Sequence, residues 1–148
     1  MKPLVHAGLA GIATGARSFS ALTACARTPG ADGRLERLLH RPRVRRSLRS
    51  SAAFELLGDK LPVTPPRTSP PALASRVALG ALTGALVARR HGGRALAGGA
   101  VGAATSAGWT FAGPQYRRIA SARAGGNDLP GAVLEDVAAY GIAYVAAR

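Results

Sequence analysis

A single cysteine, Cys25, leaves this chain without an intrachain disulfide or a cysteine-based metal site. Its three histidines, His6, His40 and His91, are scattered and have no second ligand at zinc spacing, so no metal centre is expected. Aromatic residues are scarce at 5 %, and Phe19, Phe54, Trp109 and Phe111 fall in apolar segments instead of interleaving with basic ones. The stacking platform of a single-strand binder is therefore missing, which disfavours nucleic acid as a partner. Acidic residues are also few, seven against twenty lysines and arginines. The chain has no phosphate loop, no Gly-x-Gly-x-x-Gly turn after a strand, and no Ser/His/Asp order with a supporting motif. Neither an enzymatic activity nor a cofactor is expected from such a sequence.

What is abundant is small and apolar. Hydrophobic residues make up 47 % of the chain, largely as alanine, and glycine occupies 19 of 148 positions. Such side chains bury little area per residue, so a water-soluble core made from them would be weakly held. In lipid the same residues let helix backbones approach closely. Four apolar segments follow one another: Leu4 to Ala26, interrupted by Arg17; Ala72 to Ala88; Ala95 to Gly113; and Ala132 to Ala147. A membrane span needs roughly 20 apolar residues, which the third segment meets and the others approach. The expected fold is all-α, a single membrane domain over residues 1–148. It would hold about four short Gly/Ala-rich helices in a small polytopic bundle, joined by a short amphipathic helix over 51–61.

Between the first two segments lie a basic stretch, residues 27–50, expected as a solvated loop with some local helix, and a proline-rich run, 62–71, expected as extended chain. Eight arginines fall between Arg27 and Arg49, opposed only by Asp32 and Glu36. With residues 27–71 and 114–131 on one side of a membrane, thirteen lysines and arginines would face five. The positive-inside bias then places the long connection in the cytoplasm and both termini outside. The amino terminus also resembles a secretion signal ending at Leu22-Thr23-Ala24-Cys25. Arg17 lies on the wrong side of its apolar stretch for that, so it reads as a span or as a broken, re-entrant pair. Gly11 and Gly15, Gly80 and Gly84, and Gly98 and Gly102 are each four apart, the GxxxG spacing of close helix packing, which also allows a homo-oligomer.

Charged residues in or beside these apolar segments are the candidate site: Arg17, Glu55, Asp59, Lys60, Arg67, Arg76, Glu135 and Asp136. An ion within a bilayer is costly unless paired, so such residues turn inward and find partners. Glu55 and Asp59 share a helix face, and Glu135 and Asp136 lie near a helix start; Arg17, Lys60, Arg67 and Arg76 are their natural partners.

The run Glu55-x-x-x-Asp59-Lys60-Leu61-Pro62-x-Thr64-Pro65-x-Arg67-Thr68-x-Pro70, followed by Arg76 and a Gly/Ala-rich span, resembles a bacterial membrane family known as domain of unknown function 4126. Arg17-Ser18-Phe19 and Glu135-Asp136 are similar to its other two landmarks, while the basic insertion over 27–49 departs from it. The resemblance implies a multi-pass protein of the bacterial inner membrane with no established activity. The simplest reading of the charged set is a structural Arg/carboxylate network. Alternatives are passage of a proton, ion or small solute through the bundle, and binding of anionic lipid headgroups or nucleic acid by the Arg27–Arg49 stretch.

Overall fold

The computed structural model of the protein describes residues 2–30, 32–58, 68–123, 125–127 and 129–148, with side chains throughout except at 56–58. The fold is all-α. Seven helices lie among the described residues: α1 (Pro3–Ala16), α2 (Ser20–Cys25), α3 (Arg34–Leu39), α4 (Pro42–Gly58), α5 (Pro70–Arg90), α6 (Ala95–Arg123) and α7 (Leu129–Ala147). Proline opens α1 and α5 in the first turn, where its missing N–H costs nothing. The core is the mutual packing of α1, α5 and α6, with α7 laid against α1 and α2.

The first apolar segment is not one helix. Arg17 is extended (φ −139°, ψ 113°), and the chain breaks between α1 and α2. It then turns back. The side chain of Pro3, at the start of α1, lies beside Gly93, just past the end of α5. Cys25, at the end of α2, offers its carbonyl to Arg90 at that same end. Both ends of the segment therefore sit together, with Arg17 at the far tip of a helical hairpin. Ser20 fastens the turn, its hydroxyl donating to the carbonyls of Ala13 and Arg17.

The basic stretch is also reorganised. The local helix expected within 27–50 is more extensive than a loop would carry: residues 34–39 and 42–58 are helical. The amphipathic helix expected over 51–61 starts nine residues earlier, at Pro42. The reason is legible in its spacing: Val44, Leu48, Ala52 and Glu55 form one inward face that packs toward α2.

These contacts correct the expected distribution of charge. The amino terminus, the Arg89–Arg94 turn, the carboxyl terminus and the start of the basic stretch all gather at one end, which we call the Arg90 end. His6 of α1 stacks on His91 with ring centroids 3.7 Å apart, and His91 contacts the Ala146 carbonyl. Gly33 lies next to the Arg89 guanidinium. The long connection and the termini thus start from the same end of the bundle instead of opposite ends.

The interior combines an apolar cluster that includes Leu22, Leu39, Leu86 and Val87 with buried hydroxyls and charges, while large apolar side chains also cover the outside. The largest fully buried side chains are Val87, Thr14, Thr83, Thr110, Cys25, Ser20 and Ser106, whereas Leu96 is 89 % exposed and Val137 66 %. Leu129, Val133, Leu134 and Val145 on α7, and Phe111 and Ile119 on α6, also face outward. Two helices, α5 and α7, are long and apolar enough to cross a membrane; α1 is shorter, and α6 is longer but not apolar enough.

A buried charged layer as the candidate functional site

Breaking a helix inside a packed bundle strands backbone groups that need partners. Two charged side chains supply them. Arg76, buried on α5, donates through Nη1 to the Gly15 carbonyl at the end of α1, at 2.8 Å. Glu55, reaching in from α4, accepts from the Ser18 amide at 2.8 Å and from the Phe19 amide at 3.4 Å, where α2 begins. The two side chains then meet each other, Arg76 Nη2 to Glu55 Oε1 at 3.2 Å. The carboxylate at the amino terminus of α2 also complements the helix dipole.

Arg17, 3 % exposed at the tip of the hairpin, pairs with Asp136 of α7. Ser106 of α6 donates to the Arg76 carbonyl at 2.9 Å, which ties the layer to the third helix of the core. Glu135, also 3 % exposed, faces α6, with Arg117 Nε 4.0 Å from its carboxylate. Its Oε1 and the Trp109 indole nitrogen converge on Gly113: a Cβ there would lie 3.2 Å and 3.4 Å from them. From Arg76 to the Arg90 end is roughly 20 Å along α5.

Arg17, Glu55, Arg76 and Asp136 are thus brought into one layer, with Glu135 on its α6 side. Asp59, Lys60 and Arg67 lie outside the described residues. The glycines occupy the crossings of α1, α5 and α6. A Cβ on Gly84 would lie 2.8 Å from the Gly102 Cα, and the reverse holds equally; Gly98 faces Gly84 and Ala88. Gly80 backs onto Ser106 and Gly102 from α5, and Gly11 meets Gly102 from α1. Gly15, beside the break, fits against Ser106 and Trp109.

A second buried node was not anticipated from the sequence. Arg90 makes a two-pronged ion pair with Glu36, at 2.8 Å and 2.6 Å, and also donates to the Thr28 hydroxyl and to the carbonyls of Cys25 and Ala147. One guanidinium so joins α2, α3, α5 and α7. The available signal was slight: Glu36 is one of two acids in a basic stretch, and Arg90 stands at the end of an apolar one.

Chemically, the layer is a set of matched donors and acceptors. Among the described residues no cluster of three or more His, Cys, Asp or Glu side chains is arranged to hold a metal ion. No family model, no curated protein and no solved structure matches the chain.

Proposed function

We propose that this chain is a multi-pass integral membrane protein with a structural, non-enzymatic charged layer that holds a re-entrant α1–α2 hairpin in place. The observation that carries this reading is the apolar outer surface of α6 and α7 around a layer of buried charge. Arg17, Arg76 and Glu135 are buried beside serines and threonines, while leucines, valines and aromatics cover the outside of α6 and α7. Water would penalise that surface and lipid would reward it. The two candidate spans point the same way. Only 39 % of the α5 window and 28 % of the α7 window are buried, whereas a core helix of a soluble protein would be mostly covered. The resemblance to the domain of unknown function 4126 family supports the bacterial inner membrane as its location.

In this reading α5 and α7 cross the bilayer, α6, too weakly apolar to cross alone, is carried across by its packing against α5 and α1, and the Arg90 end is cytoplasmic. Lys2, Arg27, Arg34, Arg37, Arg41, Arg89, Arg94 and Arg148 would all lie on that face, as the positive-inside bias favours. The alternative, passage of a proton or ion, asks for a carboxylate free to exchange. Glu55 is held by two amides and a guanidinium, and Asp136 by Arg17, so a fixed structural role is the better account.

Membrane fractionation with reporters tests both parts. The protein should resist alkaline carbonate, and tags at each terminus and within the Gly92–Gly93 turn should all report the cytoplasm. Release by carbonate would remove the membrane reading; a turn tag on the opposite side from the termini would remove the topology.

A further inference from the structure

The outer face of α4 carries charge that no carboxylate among the described residues balances. Among the described residues the carboxylates of Glu36, Glu55, Glu135 and Asp136 are turned toward Arg90, Arg76, Arg117 and Arg17, and that of the exposed Asp32 pairs with no arginine of α4. None of them is in ion-pair reach of the exposed Arg43, Arg46 and Arg49. Arg45, on the flank of the same helix, has a buried Nε with no hydrogen-bond partner among the described residues. The face changes character along its length. Arg43 and Arg46 come first, the hydroxyls of Ser47, Ser50 and Ser51 follow, and Phe54, 73 % exposed, closes a groove of about 440 Å³.

The helix also has a direction. It starts after His40, whose ring is 4.0 Å from Glu36 at the Arg90 end, and it reaches the charged layer at Glu55. Its basic turn therefore lies at the end where the termini gather, and its aromatic turn lies roughly 16 Å deeper, eleven residues along. That order, cation then hydroxyl then aromatic going inward, matches a phospholipid standing in the leaflet: phosphate outermost, glycerol next, acyl chain below. Arginine suits the first of these because its planar fork binds phosphate oxygens in pairs.

We propose that the α4 groove binds one anionic phospholipid of the leaflet at the Arg90 end. Arg43 and Arg46 grip the phosphate, Ser47 and Ser50 offer hydroxyls below it, and the acyl chain lies over Phe54. The inference rests on the membrane reading above and adds to it a defined lipid site.

Native mass spectrometry of the detergent-purified full chain tests it, with dioleoyl phosphatidylglycerol and dioleoyl phosphatidylcholine as paired probes. The wild type should retain phosphatidylglycerol preferentially. R43Q/R46Q should lose that preference by on the order of tenfold or more, each arginine near an anionic surface contributing about fivefold. Phe54→Ala should weaken both lipids while keeping the preference, and R118Q/R123Q, on the far half of α6, should change neither. An undiminished preference in R43Q/R46Q, or an equal loss in R118Q/R123Q, overturns the site. Carbonate resistance of R43Q/R46Q in the membranes before detergent extraction separates the two claims: a carbonate-resistant protein with no lipid preference sinks the lipid site alone, whereas carbonate release sinks the membrane reading with it.

Discussion

Replacing Arg76 with methionine removes two interactions among the described residues at once, the donor to the Gly15 carbonyl and the cation beside Glu55. Removing one partner of a buried ion pair costs about 3–5 kcal/mol, because the other charge is left without compensation. The double variant E55M/R76M then separates two accounts of the layer. If the residues matter only as an ion pair, replacing both with apolar groups of similar volume should be nearly neutral. If they matter because they cap the broken hairpin, the double variant still leaves the Gly15 carbonyl and the Ser18 amide without their 2.8 Å partners. Each such orphan costs about 1–3 kcal/mol, so a deficit of about 2–6 kcal/mol should persist. The Phe19 amide, bonded at 3.4 Å, adds less. Glu55→Gln keeps an acceptor for Ser18 and should cost less than Glu55→Met. Equilibrium unfolding in mixed lipid–detergent micelles, followed by circular dichroism, measures all four proteins. A double variant within about 1 kcal/mol of wild type would refute the capping argument.

Two further outcomes follow from the packing. Gly84→Val places a side chain where a Cβ alone would be 2.8 Å from the Gly102 Cα, so α5 and α6 must separate. It should destabilise by about 3 kcal/mol or more, at or above the upper end for overpacking. Gly141→Ala, with nothing within 4 Å of the new Cβ, should instead be neutral or stabilising by up to about 1 kcal/mol. Equal effects in the same unfolding assay would discredit the glycine crossing. At the Arg90 end, Arg90→Gln releases Glu36, Thr28, Cys25 and Ala147 together. Buried Cys25 should then react with N-ethylmaleimide at least about tenfold faster, one decade for each 1.4 kcal/mol lost from local closure. An unchanged labelling rate would mean that Arg90 does not hold that end shut.

Helix content was readable because it is local. Proline at helix starts, runs of alanine and leucine, and few β-branched residues all favour helix before any packing forms. The inward bias of Arg17, Glu55, Arg76, Glu135 and Asp136 was readable too, since a charge in an apolar stretch is costly unless it is turned in and paired. The sequence could not say which partner each would find. Arg17 could have met any carboxylate in the layer, and the choice of Asp136 depends on α7 packing against the hairpin.

A broken or re-entrant first segment was an open alternative in the sequence, and tertiary structure decided that the chain turns back at Arg17. Residues 4–26 are so uniformly small and apolar that crossing and turning back are locally similar. The break becomes affordable only when Glu55, 37 residues from Ser18, and Arg76, 61 residues from Gly15, arrive to satisfy the freed backbone. The same reversal brings the basic stretch to the end that holds both termini, and counting charges along the chain could not foresee it. Composition by itself determined that this protein would be helical and tightly packed through glycine and alanine. Contacts distant in sequence decided where the chain reverses, which charges pair, and that Glu36 and Arg90 form the second buried node, because a buried ion's position is set by the partner that neutralises it.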